Sequence, residues 1–223
     1  MWSAVDLIVG LERGRAAGKA RYAPTVTPAD QWTAPPDCQG LIFDCDGTLA
    51  DTMPVHYRAW TAMLDEHGLE FPEQQFYALG GMPSHRIIDL LADEQGIAVT
   101  DAETMGRDKE RRYVELLDHV GPVGAVVGIA ARYRGVLPMA VASGGEGWVV
   151  RRTLSTIGVL DWFDALVGAE DTVLHKPEPD VFLEAARRLD VDSSRCVVFE
   201  DTDLGLEAAR RAGMEGVDVR PWR

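Results

Sequence analysis

The chain has 223 residues, 46% of them hydrophobic and 26% charged, which is ordinary for a globular protein and enough for one large domain or one domain with an insertion. A formal net charge of −14 excludes a broad basic footprint, so no nucleic-acid partner is expected, and an anionic substrate would need a local positive site against the overall field. No apolar run approaches the length of a membrane span, so no membrane partner is expected either.

The first segment, "MWSAVDLIVGLERGR", is apolar but interrupted by Asp6 and Glu12. It has no basic lead and no small-residue cleavage site, so it is not read as a signal peptide. Trp2, Val5, Ile8, Val9 and Glu12 suggest a short amphipathic helix, and Pro24, Pro28, Pro35 and Pro36 then favour an irregular arm. Residues 1–37 are therefore an N-terminal extension, packed on the body or partly mobile. Cys38, Cys45 and Cys196 follow no metal-ligand spacing, and their odd number fits reduced, buried thiols in a cytoplasmic protein.

"QGLIFD" (39–44) reads as a fully buried strand. The segment that follows, 54–120, carries no strand signal. It gives amphipathic helices near 55–67, 73–79, 84–95 and 101–119, split by Gly68, Pro72, Gly80, Gly81 and Gly96. This segment is read as an inserted all-α cap. Four more buried strands follow: "VLPMAVAS" (136–143), "ALVGAE" (165–170), "CVVFED" (196–201) and "GVDVR" (216–220), with helical patterns at 124–134, 146–158, 178–189 and 203–212. Alternating strands and helices imply a parallel sheet with right-handed crossovers. The predicted fold is α/β, a Rossmann-like three-layer core (38–53 and 121–223) carrying the cap.

Ligands of an open parallel sheet bind beyond the carboxyl ends of its strands. There the sequence places Asp44-Cys45-Asp46, then Ser143-Gly144-Gly145, then Lys176 within "HKPEPD", then Glu200-Asp201. Each alone is a weak signal; four in register with strand ends are a strong one. Clustered carboxylates need a counter-cation, and hard oxygen ligands select Mg²⁺. Lys176, the Ser143 hydroxyl and the Gly144 and Gly145 amides make a site for a phosphate's oxygens. Asp44 is then a candidate nucleophile, and Asp46 can protonate a leaving oxygen and later activate water. Gly47 permits a tight turn after the strand, and alternation sends Cys45 into the core.

"DCDGTLADT", "VASGG", "HKPEPD" and "VFEDTDLGLEAARRAGM" resemble, in order and spacing, the four motifs of the haloacid-dehalogenase-like hydrolases. The insert resembles the small helical cap of the branch that holds β-phosphoglucomutase and the sugar-phosphate phosphatases. The C-terminal tail and "HYRAW" are most similar to fructose-1-phosphate/6-phosphogluconate-type phosphatases. The resemblance implies Asp44 as nucleophile, Asp46 as general acid/base, and Ser143 and Lys176 as holders of the phosphoryl group. It implies Mg²⁺ bound by the Asp44 carboxylate, the Asp46 backbone carbonyl and Asp201, with Glu200 a ligand directly or through water. Thr52 and His56 match hinge and acid/base-positioning places, and Trp60 and Lys109 match places that touch the sugar. Trp60 reads equally as bundle core, and Lys109 equally as a solvated helix face. His175 reads as a loop residue, and His67, His85 and His119 as surface or helix-end histidines.

One departure bears on the reaction. The mutases carry a basic loop that grips a second phosphate, whereas here the stretch is "GGMPSHR", with Gly80 and Ser84 in place of the lysine and arginine. Losing two charge-assisted contacts, worth about 1.5–3 kcal/mol each, disfavours a doubly phosphorylated sugar. The expectation is a Mg²⁺-dependent phosphatase of small sugar phosphates, acting as a monomer or weak oligomer on a small phosphorylated metabolite. The alternatives are a β-phosphoglucomutase-like isomerase, a phosphatase of another metabolite such as phosphoglycolate, and a binding module without turnover.

Overall fold

The computed structural model describes residues 28–223. The amphipathic helix expected near Trp2 lies outside those residues, as does most of the extension. Five parallel strands form one sheet: β1 (Gly40–Phe43), β2 (Met139–Ala142), β3 (Ala165–Val167), β4 (Cys196–Glu200) and β5 (Glu215–Asp218), in spatial order β3-β2-β1-β4-β5. The chain builds outward from β1 to one side, then crosses over to build the other. That reversal opens a crevice at the end of the central strand, where Asp44 follows β1.

The strands alternate between two cores. Leu41, Phe43, Cys45, Val141 and Phe199 face helices α5 (Gly124–Tyr133) and α6 (Gly147–Thr156). Ile42, Ala140, Ala142 and Val198 face α7 (Asp180–Leu189) and α8 (Asp203–Arg211). Phe43 and Phe199 stack at 4.6 Å and 6°, and Trp32 closes on Phe199 edge-on at 4.8 Å. Trp32 is buried, and Ala34 N–H donates to the Tyr133 hydroxyl at 2.7 Å, so residues 28–37 pack on the core. Leu41, Ile42 and Phe43 are fully buried, each stabilising the fold by about 1.5–3 kcal/mol, an upper figure for a compact unfolded chain.

Between β1 and α5 lie four helices: α1 (Met53–Leu64), α2 (Glu73–Ala78), α3 (Ser84–Gln95) and α4 (Ala102–Glu115). They bury their own cluster, including Trp60, Met63, Phe71, Phe76, Ile88, Leu91 and Met105. A second cluster, with Val55, Ala59, Tyr113, Leu117 and Val149, ties α1 and α4 to α6. Asp101 caps α4 by accepting from Thr104 N–H at 2.9 Å, which starts that helix where an N-cap carboxylate predicts.

Two elements are shorter than the sequence pattern suggests. The run 136–143 forms a strand only from Met139, because Gly135 turns at φ +71° and Pro138 has no N–H for the ladder; Val136 is left exposed. The run 165–170 leaves the sheet after Val167, and the residues after Gly168 form a 3₁₀ turn. Cys45 and Cys196 are buried thiols, while Cys38 is only half-buried. No helix among the described residues is long and apolar enough to cross a membrane.

Candidate active site

The Asp44 N–H donates to the Phe199 carbonyl at 3.0 Å, carrying the β1–β4 ladder one step beyond the strand. By alternation Asp44 and Glu200 lie on the α7/α8 side, like Ile42 and Val198. Between them Lys176 Nζ donates to Asp44 Oδ1 and to Glu200 Oε1, both at 2.7 Å. All three side chains are at most 6% exposed, which excludes screening by water. Burial alone would lower Lys176, but the two carboxylates hold its ammonium above the usual lysine value. Burial pushes Asp44 well above an ordinary carboxyl despite Lys176, because the charges of Glu200, Asp201 and Asp46 add to it.

Glu200 uses both its oxygens. Oε2 accepts from Thr202 N–H at 2.5 Å and from its hydroxyl at 2.9 Å, and Thr202 in turn caps α8 through Gly205 N–H at 3.0 Å. A Cβ at Gly205 would run into the Glu200 carboxylate, so the glycine is required there. Glu200 therefore holds Lys176 and the start of α8.

Asp46 comes two residues later. Gly47 takes φ +83°, and the Asp201 carboxylate stands so close over it that any Cβ would collide. Asp46 Oδ1 lies 3.1 Å from His56 Nε2, and Oδ2 lies 3.4 Å from the Ser143 hydroxyl, which donates to it. On the far side of the ring, Lys109 Nζ is 2.9 Å from His56 Nδ1. An ammonium only donates, so Nδ1 accepts; the ring proton is on Nε2 and is donated to Asp46. The ring is clamped from its face by Tyr113, stacked at 3.7 Å and 9°, whose hydroxyl pairs with Thr153 at 2.9 Å. Burial would raise Asp46, but His56 with its hydrogen bond to Oδ1, and Lys109 behind it, hold it down to about 2. The Thr52 hydroxyl is buried without a hydrogen-bond partner. With Oδ1 occupied by His56, any proton that Asp46 carries sits on Oδ2, the oxygen nearest Ser143.

Ser143 follows β2, and its hydroxyl also accepts from Gly145 N–H at 3.0 Å. Gly144 lies so near the Gly81 carbonyl that a Cβ would collide, and Gly81 faces the Lys176 stem. Gly80 and Gly81 thus lie against Thr202, Lys176 and Gly144 at the centre. A groove of about 1010 Å³ lies elsewhere, among Pro28, Gly124, Gly128 and Pro221, and none of these side chains line it.

The strand-end residues thus converge around Asp44. Lys109 is not on a solvated face: it is 4% exposed, held by His56 and Glu110, and lies over the Trp60 ring at 5.2 Å. Trp60 is 2% exposed and packs with Phe71 inside the helical cluster, the bundle-core position. His67 and His119 are exposed, whereas His85 and His175 are half-buried. Burial and the nearby His85 and Arg86 lower His175. Sequence reasoning missed Glu110, Tyr113, Thr202 and Arg223. Arg223 donates to Asp201 at 3.0 Å and to Asp51 at 3.1 Å.

The donor chemistry fits a hard dication. Burial and Glu200 raise Asp201 to about 7 even with Arg223 and Lys176 nearby, so the carboxylates lack sufficient positive charge. Among the described residues no three His, Cys, Asp or Glu side chains stand in ligand geometry together. A set of two carboxylates and a main-chain carbonyl would not form such a group.

Residues 38–213 match the family model of the haloacid dehalogenase-like hydrolases. The chain is 43% identical over 182 residues to the fructose-1-phosphate phosphatase YqaB of Escherichia coli, covering 81% of this chain and 96% of that protein. It is 30% identical to the 6-phosphogluconate phosphatase of the same organism, over 79% of this chain and 80% of that one. Its fold is similar to that of β-phosphoglucomutase from Clostridium difficile, with a TM-score of 0.74 at 23% identity over 81% and 84% of the two chains.

Proposed function

The chain belongs to the haloacid dehalogenase-like hydrolases and is a phosphatase of sugar phosphates, and we propose that it hydrolyses them through a phosphorylated Asp44 with Asp46 as general acid/base. The observation that carries this reading is the division of labour between the two aspartates. Asp44 is held by Lys176 through one oxygen, which leaves Oδ2 for attack on phosphorus. Asp46 is held by His56 through Oδ1, which leaves Oδ2 to exchange a proton beside Ser143.

The phosphoryl group leaves the sugar oxygen for Asp44, and the proton on Asp46 Oδ2 goes to that oxygen. Water then gives a proton back to Asp46 as its oxygen attacks the phosphoryl group, releasing inorganic phosphate and restoring Asp44. A phosphate dianion entering beside Asp46 raises that carboxyl, so that it holds the proton the first step needs. Lys176, Ser143 and the Gly144 amide hold the transferring oxygens. Asp44, Asp201 and the Asp46 main-chain carbonyl would hold Mg²⁺, with Glu200 contributing directly or through water; when bound, it would neutralise charge on the phosphate oxygens. His56 orients Asp46, and Lys109, itself lying over the Trp60 ring, supports His56 from within the helical cap, 54–120. Fructose 1-phosphate and 6-phosphogluconate are the first substrates to consider, because two phosphatases similar to this chain are named for them.

The reading is tested by phosphate release from fructose 1-phosphate, 6-phosphogluconate, glucose 1- and 6-phosphates and phosphoglycolate. Release from at least one sugar phosphate with Mg²⁺, abolished by EDTA and restored by excess Mg²⁺, is expected. Conversion of β-glucose 1-phosphate to glucose 6-phosphate without net release would instead mean a mutase. Release confined to phosphoglycolate would mean a different substrate class.

A further inference from the structure

Glu110 has no part in the chemistry above, yet it is a carboxylate only 4% exposed. Its Oε1 accepts from Lys109 Nζ at 2.9 Å and from the Ser84 hydroxyl at 2.7 Å. A buried acid is costly unless paired, and here the pairing holds Glu110 below the usual glutamate value against the effect of burial. Gly106, one turn earlier on the same face of α4, lets the start of α3 approach: a Cβ there would lie 3.4 Å from Ser84 Cβ and 3.5 Å from His85 N. The positive N-terminal end of α3 therefore faces a carboxylate.

The consequence concerns charge. A helix N-terminus and a buried ammonium next to the reacting centre are together a site for an anion. In this chain Glu110 already occupies both. Lys109 is turned inward to His56 and neutralised, and Ser84 is tied down. Arg86 is exposed at the outer rim, where water and salt screen it far more than an enclosed charge.

We propose that Glu110 is a specificity-determining residue that neutralises the cap interior and so selects monophosphates whose remaining part is an uncharged polyol, against bisphosphates and phosphorylated sugar acids. This rests on the sugar-phosphate phosphatase reading and deepens it. Of the two substrates considered first, it favours fructose 1-phosphate over 6-phosphogluconate.

The test is kcat/KM for fructose 1-phosphate and for fructose 1,6-bisphosphate, with Mg²⁺, in wild type, Glu110→Gln, Ser84→Ala and the double variant Lys109→Gln/Glu110→Gln. Circular dichroism would check the fold of each. Wild type should favour the monophosphate by about tenfold or more, the scale of one charge-assisted contact. Glu110→Gln should raise the bisphosphate-to-monophosphate ratio by about tenfold, because it leaves Lys109 uncompensated. Ser84→Ala keeps the charge and should leave the ratio within about twofold, and the double variant, which removes both charges, should return it near the wild-type value. A merely structural defect lowers both substrates alike and does not move the ratio.

An unmoved ratio in folded Glu110→Gln overturns the proposal, as does a shift of equal size in Ser84→Ala. If Glu110→Gln does not fold, the wild-type ratio still decides: equal or faster hydrolysis of the bisphosphate overturns it. Absence of release from both sugars by wild type overturns this proposal, whereas the phosphatase reading falls only if every sugar phosphate of the panel above is left intact.

Discussion

Replacing Asp44 with Asn is expected to lower phosphate release by at least about 10⁴-fold, the scale on which enzymes lose turnover when the nucleophile is removed. The loss should come without unfolding. Asn keeps an oxygen that can accept from Lys176, now at 2.7 Å from Asp44 Oδ1. It also removes one negative charge from a place where burial and the charges of Glu200, Asp201 and Asp46 already push the Asp44 carboxyl up. The melting temperature, measured without added metal, should therefore equal or exceed that of wild type. A phosphate assay and a thermal melt on the same preparation check both halves. Residual turnover within about tenfold of wild type would remove Asp44 from the chemistry.

Lys176→Met should have the largest effect on stability. Lys176 Nζ bridges two carboxylates at 2.7 Å each, with no more than 6% exposure on any of the three side chains. Removing one partner of a buried ion pair leaves charge uncompensated and costs about 3–5 kcal/mol. The loss is read from urea unfolding at neutral pH with chelator present. Its pH dependence follows from Asp44. Burial already raises that carboxyl, and the variant lacks the cation that opposes the rise. A group whose folded pKa lies above its unfolded one favours the folded state below the unfolded pKa and loses that advantage as pH rises through the folded pKa. The deficit should therefore shrink as the medium is acidified and grow as it becomes alkaline. A deficit that is constant across pH would mean that Lys176 contributes packing and not charge.

How much of this was legible in the sequence depends on the kind of signal. The parallel sheet was legible because buried strands leave contiguous apolar runs, as at 41–43 and 196–199, and because helices with one apolar face separate them. Strand ends were less so: Pro138 and the turn at Gly135 shorten β2 by removing a ladder donor, which hydropathy does not register. Asp44, Asp46, Ser143, Lys176 and Asp201 could be singled out because each follows a strand. Residues that act from helices could not be singled out in that way. Lys109 and Glu110 sit in "GRDKERRY", where a run of charges has the pattern of a solvated face. The approach of α3 at Gly106 and the rings of His56, Trp60 and Tyr113 bury them. The two oxygens of Glu200 likewise acquire their partners, Lys176 and Thr202, only from the way the loops close. Arg223 reaches Asp51 across 172 residues, a pairing that no local pattern encodes.

The most direct test of the central claim is to trap the phosphorylated enzyme. The protein would be mixed with fructose 1-phosphate and Mg²⁺, quenched in acid within the first turnover and reduced with borohydride, which converts an aspartyl phosphate to homoserine. Peptide mass analysis would then read position 44. Homoserine at residue 44, dependent on substrate and absent without it, is the predicted result. Phosphate release with residue 44 unaltered, or reduction at another aspartate, would contradict the claim that Asp44 carries the phosphoryl group.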